Sequence, residues 1–208
     1  MNPPRHRLPA NWGFCFDGNA EAFCSALDLA VDSVKDPFTY CEIGLGHGDG
    51  MRAAQGYLTQ SGIGLRFIGV DIATCDQAAR MANDYPLPDR TQIHLCGAKK
   101  FFEDARMDLG FVFIDGCHGA PCVESDFLGA EKVVVAGGVI VFHDSDPGCQ
   151  GLHFQPHCEM GIEVRRALRN LGLIDGSRPG WNLIAETTGD KSKGGHGMSI
   201  FQRRQVCT

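Results

Sequence analysis

The stretch that decides the fold is Tyr40-Cys-Glu-Ile-Gly-Leu-Gly-His-Gly-Asp-Gly50. An apolar run, Phe38 to Ile43, stops at four glycines spaced two apart: Gly44, Gly46, Gly48 and Gly50. Helix-forming residues, Met51 to Leu58, follow. Strand, glycine turn and helix in that order make a ligand cradle, because glycine lets the backbone turn sharply and approach a bound group closely. The dinucleotide pattern G-x-G-x-x-G fails in both registers. From Gly44 its third glycine falls on Asp49, and from Gly46 on Met51. The phosphate-binding pattern G-x-x-x-x-G-K-[ST] occurs nowhere in the chain.

Working outward, Asp17-Gly18-Asn19 offers cap-type residues for a helix over about 20–34. Phe23, Ala26, Leu27, Ala30 and Val34 line one face of it, and Asp36-Pro37 ends it. Beyond the glycine turn, Leu65–Asp71, Thr91–Cys96, Leu109–Asp115 and Val139–Asp144 read as four more strands. Helices are expected at about 77–83 and from Pro121 to about Val135, with Gly137-Gly138 as a turn. A further helix at about 160–171 precedes two last strands, Trp181–Glu186 and Met198–Arg203. Their Gly/Lys/Ser-rich link suits a hairpin and places at least one strand antiparallel. Short, continuously apolar strands alternating with helices indicate an α/β fold: a doubly wound, mostly parallel seven-stranded sheet covered on both faces. In such a sheet ligands bind at the carboxyl ends of the strands. That rule gathers Glu42 to Gly48, Asp71, Gly97-Ala98, Asp115 to His118 and His143-Asp144 around one crevice.

Composition narrows the function. The 208 residues, 43% apolar and 21% charged, suit one domain spanning 1–208, with an arm at 1–17 and a core at 38–204. A net charge of −6 without a basic cluster argues against a nucleic-acid partner. No apolar run is long enough for a membrane span, and Met1 to Ala10 lacks a secretory apolar region, so a cytoplasmic protein is expected. The ten cysteines form no C-x-x-C pair and are expected to be reduced. The arm and first helix could serve a homo-oligomer.

Charge indicates what the glycines hold. A pyrophosphate needs unopposed N–H donors, yet Glu42 and Asp49 bracket the turn with negative charge. A ligand carrying an ammonium and a sulfonium would favour those carboxylates, and Asp71 is placed to accept from a ribose diol. S-adenosylmethionine meets these requirements better than NAD.

Glu42-x-Gly44-x-Gly46-x-Gly48 followed by Gly-Val-Asp71 resembles the class I S-adenosylmethionine-dependent methyltransferases, over about residues 38–204. The resemblance implies their Rossmann-like fold with an antiparallel seventh strand. It also implies that Glu42 and the glycines contact the methionine part, that Asp71 and neighbouring Ile72 meet the ribose side, and that Ala98 borders the adenine. Asp115 would lie against the same cofactor.

A second constellation is Ile114-Asp115-Gly-Cys-His118 with Gly138-Val-Ile-Val-Phe-His143-Asp144. Two carboxylates ending adjacent strands, with imidazoles nearby, can hold a divalent cation that lowers a substrate hydroxyl's pKa. His118 could take the proton. The pattern is similar to small metal-dependent O-methyltransferases that modify sugar hydroxyls, and to cephalosporin-hydroxylase-like relatives. By position the resemblance implies Asp115 and Asp144 as ligands of a magnesium- or manganese-like cation, and His118 as base. His143 stands where the sugar enzymes carry a carboxylate. Either it is a third ligand and the metal is not magnesium, or it is no ligand, because consecutive strand residues point to opposite faces. Cys149, His153, His157 and Cys158 could bind zinc, or form a loop over a small-molecule hydroxyl acceptor. A metal-independent methyltransferase, an NAD- or nucleotide-sugar-linked oxidoreductase and a cofactor-binding module without activity remain as alternatives.

Overall fold

The computed structural model describes residues 1–6, 19–34, 37–46, 48–72, 91–146, 160–188 and 197–205. The helix expected at 77–83, most of the N-terminal arm and the Cys149–Cys158 segment lie outside these residues. The elements run α1 (Ala20–Ser33), β1 (Phe38–Ile43), α2 (Asp49–Leu58), β2 (Leu65–Asp71), β3 (Thr91–Leu95), α3 (Ala98–Asp104), β4 (Leu109–Ile114), α4 (Ala120–Val133), β5 (Val134–His143), α5 (Met160–Asn170), β6 (Trp181–Glu186) and β7 (Met198–Arg203). One seven-stranded sheet has the order β3-β2-β1-β4-β5-β7-β6. The first five strands are parallel, and β7 runs antiparallel to both of its neighbours.

Alternation along the strands splits the core in two. Phe38, Tyr40, Phe111 and Phe113 join α1 and α2 on one face, while Cys41, Ile43, Val112 and Ile114 join α3, α4 and α5 on the other. Every residue of β1 and β4 is buried, as a strand covered on both faces requires. Stacked Tyr40 and Phe111, with ring centroids 5.4 Å apart, lock these two strands together. Between them the strand order reverses: from β1 the chain moves out through β2 and β3, then returns to β4 on the other side. That reversal opens a crevice at the carboxyl ends.

Two details depart from the sequence expectation. The Gly137-Gly138 turn lies inside β5, which begins at Val134 directly after α4. Gly137, with φ +82°, absorbs a register shift against β4 between Leu109 and Phe111, so the strand bulges and continues. Helix α3 was not expected at all. Its seven residues are too few to display a helical period, and only the buried pair Phe101-Phe102 anchors it. Trp181 is a core residue: it packs on Phe127 at 5.4 Å and donates its indole N–H to Glu131 Oε1 at 2.9 Å.

Candidate active site

The glycine turn is built around the close approach of β1 and β4. Asp115 N–H donates to Ile43 O at 2.8 Å, and Gly44 N–H donates to Val70 O at 2.9 Å, joining three strand ends. Gly44 has φ +86°, and a Cβ there would lie 2.3 Å from the Asp115 carbonyl oxygen. Only glycine fits. Gly50 serves differently: a Cβ would come within 2.8 Å of Glu42 Oε1, so its absence lets the Glu42 carboxyl lie against the start of α2. Gly48 adopts φ +72° as the residue that starts that helix.

Glu42 follows Phe38 and Tyr40 on the same face of β1, a face otherwise filled with aromatic rings. Burial therefore pushes its carboxyl up to about 8, against the stabilising hydrogen bond donated by Tyr40 Oη at 2.8 Å. Asp49, the other acid beside the turn, forms an ion pair with Arg52 of its own helix. The charge argument thus rests on Glu42 alone. Asp71 accepts from Gly46 N–H at 3.0 Å and from Ile72 N–H at 2.7 Å, so it braces the turn while facing the crevice.

A cavity of about 760 Å³ occupies this crevice. Glu42, Gly44, Gly46, Asp71, Ile72, Ala98 and Asp115, all anticipated from sequence, contribute to its wall, whereas Gly48 does not. Ile72 is 58% exposed, an apolar side chain left open beside a cavity. The sequence reading missed the wall contributed by Cys96 and by α4 through Pro121, Cys122 and Asp126. These residues carry no motif. The clue available was that the first turns of a helix following a strand end must face the same crevice.

Beyond Asp115 lies the second constellation. Ile114 pairs with Phe142, so the next residues, Asp115 and His143, emerge side by side. His143 Nδ1 lies 3.1 Å from Asp115 Oδ1 and 3.3 Å from Asp144 Oδ1. His118 Nε2 lies 2.6 Å from Asp144 Oδ2 and 3.6 Å from Asp115 Oδ1. Of the two alternatives for His143, the one in which it turns away from Asp144 does not hold. Asp144 has φ +54°, the left-handed region, so strand alternation ends there and both side chains reach the same rim.

The four groups set one another's protonation. Burial would lower the His118 imidazole, but the Asp115 and Asp144 carboxylates override it and hold it at about 9. Burial likewise opposes charge on His143, and the same two carboxylates raise it well above the usual range. Asp144 and Asp115, despite burial, are held below the ordinary carboxylate range by the imidazoles. Near neutrality the cluster is two carboxylates facing two imidazoliums. A divalent cation replacing the two protons would keep that balance. Asp115, His118 and Asp144 offer donor atoms that all lie within 4.8 Å of one another, so the donor set fits a cation, with mixed oxygen and nitrogen chemistry suited to a manganese-like ion.

The sequence model of a family described as a methyltransferase domain matches residues 41–145, from within β1 to just past Asp144. The chain belongs to this family and is an S-adenosylmethionine-dependent methyltransferase. The oxidoreductase alternative is set aside accordingly. No curated protein matches the sequence. Among solved structures, the O-methyltransferase TomG from Streptomyces achromogenes, involved in tomaymycin synthesis and solved with S-adenosylmethionine, is similar at 18% identity. That match covers 87% of this chain and 80% of that one, with a TM-score of 0.60. An O-methyltransferase from Bacillus cereus, solved with S-adenosylhomocysteine, is similar at 18% identity over 95% of this chain and 84% of that one, with a TM-score of 0.62. The N-methyltransferase NodS from Bradyrhizobium japonicum is similar at 13% identity over 91% and 99%, with a TM-score of 0.61. At these identities the likeness concerns the fold, which serves both oxygen and nitrogen acceptors. Among the described residues, no helix is long and apolar enough to cross a membrane.

Proposed function

We propose that the enzyme methylates a hydroxyl group of a small molecule, assisted by a divalent cation at Asp115 and Asp144. The observation that carries this reading is that Asp115 belongs both to the cavity wall and to the carboxylate–imidazole cluster. Cofactor chemistry and acceptor chemistry therefore meet at one residue.

In this reading Asp71 accepts from the ribose hydroxyls and Glu42 from the ammonium of the methyl donor. Gly44 and Gly46 keep the backbone low beneath its methionine part. Ile72 and Ala98 flank the adenine. Asp115 and Asp144 hold the cation, with His143 as the third protein donor, since it is 5% exposed and enclosed behind them. A cation so held supplies Lewis acidity to an acceptor oxygen. His118, 22% exposed, is the more open of the two imidazoles and takes the hydroxyl proton, while Asp144 fixes its ring. The remaining barrier falls by alignment of the acceptor with the methyl group.

The close contact of His118 with Asp144 favours a second reading, in which His118 replaces His143 as third ligand. His118→Gln separates the two. Turnover of a hydroxylated acceptor panel should fall on the order of 100-fold or more, while manganese affinity measured by calorimetry stays within threefold of the parent. A large loss of manganese affinity would instead make His118 the ligand. Methyl transfer to hydroxyls that EDTA and Asp144→Ala leave unchanged would defeat the metal-assisted mechanism in both forms.

A further inference from the structure

Among the described residues, Asp144 is the one non-glycine residue with a positive φ. A left-handed backbone is costly for a residue that carries a Cβ, and it persists where the surroundings over-determine it. Two glycines confine the segment that follows. A Cβ on Gly161 of α5 would lie 2.1 Å from the Asp146 carbonyl oxygen and 3.6 Å from that of Asp144. From the other side, a Cβ on Gly197, just before β7, would lie 2.6 Å from the Asp146 Cβ. Packing limits where the segment can go, and hydrogen bonds fix its orientation there. The backbone supplies only a long one, from Ser145 N–H to Gly197 O at 3.4 Å.

Ser199 of β7 supplies a shorter one. It pairs with Phe142, and its side chain shares the sheet face of Phe142 and Phe201, which is otherwise apolar. It is 1% exposed and Ser145 is 2% exposed. Hydroxyls so deeply buried need partners. Their two oxygens lie 2.8 Å apart. Ser199 Oγ also lies 3.4 Å from Glu186 Oε1, and the Glu186 carboxylate accepts from the Arg165 guanidinium of α5. A polar chain therefore runs from α5 through β6 and β7 to the residue next to Asp144. Neither serine lines the cavity.

We infer that Ser199 is a positioning residue: it fixes Ser145, and so holds Asp144 in the conformation that turns its carboxylate onto His118 and His143. This rests on the reading of Asp144 as a cation ligand, and the test keeps the two apart. Calorimetry on the full chain would measure manganese and S-adenosylhomocysteine separately. Ser199→Ala should weaken manganese binding by at least about tenfold, as expected when a group behind a metal ligand is removed, and should lower kcat with it. Affinity for S-adenosylhomocysteine should stay within about twofold of the parent, a split that general loosening of the fold would not produce. Ser145→Ala breaks the same hydrogen bond from its other end and should match Ser199→Ala. The double variant should lose little beyond either single one. Ser145→Ala decides should Ser199→Ala not fold. A manganese loss below about tenfold, or an equal loss for S-adenosylhomocysteine, overturns the assignment. Asp144→Ala is the control. Lost manganese binding there, with the serine variants unmoved, removes only the role of Ser199. Manganese binding unmoved in Asp144→Ala removes the cation reading itself, and the positioning role with it.

Discussion

At the residue scale, the site is governed by carboxyls placed where water is scarce. Glu42 is neutral over much of the physiological range because burial holds its pKa near 8. A cationic partner needs it ionised. Affinity for S-adenosylhomocysteine, which keeps the ammonium, should therefore rise with pH toward about 8. Glu42→Gln should lower affinity and flatten that acid limb, as read by calorimetry at several pH values; an unchanged limb would remove Glu42 from the ammonium site. The sign for stability runs the other way. A carboxyl with a raised folded-state pKa favours the fold while protonated, so its contribution drains as pH rises from about 4.5 through 8. His118 is raised from 6.5 to about 9 by the two aspartates against burial. Its contribution is complete below pH 6.5 and is lost as pH passes 9. The residual turnover left after EDTA treatment should therefore climb with pH toward about 9. A profile flat from pH 6 to 9 would contradict the role of His118 as base.

At the element scale, the decisive contact is backbone against backbone. The glycine turn exists because β1 and β4 converge until any Cβ on Gly44 would strike the Asp115 carbonyl. Gly44→Ala adds both a steric clash and a strained positive φ. It should cost about 2–4 kcal/mol in urea unfolding and displace Asp115 from cavity and cluster together. A loss below about 0.5 kcal/mol would show that the strand ends can part freely. The same scale explains Asp144. Its left-handed backbone ends β5 and turns a residue that alternation would send to the opposite face back toward His143. Helix α5 then closes over the segment. A Cβ on Gly161 would lie 2.1 Å from the Asp146 carbonyl oxygen, so the start of α5 is seated directly on the backbone beyond Asp144.

At the scale of the whole molecule, the sheet sorts stability and function along different axes. Stability is concentrated across the sheet centre, in β1 and β4, whose residues are wholly buried, while β3 and β6 at the margins are half-exposed. Amide hydrogen exchange should accordingly be slowest in β1 and β4 and markedly faster in β3 and β6. Equal protection across all seven strands would contradict a core centred on Tyr40, Phe111 and Phe113. The candidate site lies along the strand axis, at the carboxyl ends, where the reversal of strand order opens the crevice.

The sequence by itself determined the seven strands, their mostly parallel order with a returning hairpin, and the cofactor class. Each of these follows from local chemistry: apolar runs of strand length, glycines at a strand end, and acids at Glu42 and Asp71. Only the tertiary structure decided three other things. It enclosed Glu42 among the aromatic rings that fill its face of the sheet and so raised its carboxyl. It brought His143 and Asp144 to one rim, through a backbone angle that alternation cannot anticipate. It also placed Asp126, without any motif, in the wall of the cavity. The physical reason is common to all three. Periodicity and residue type fix what a segment is, whereas a side chain's partners are fixed by which other segments pack beside it.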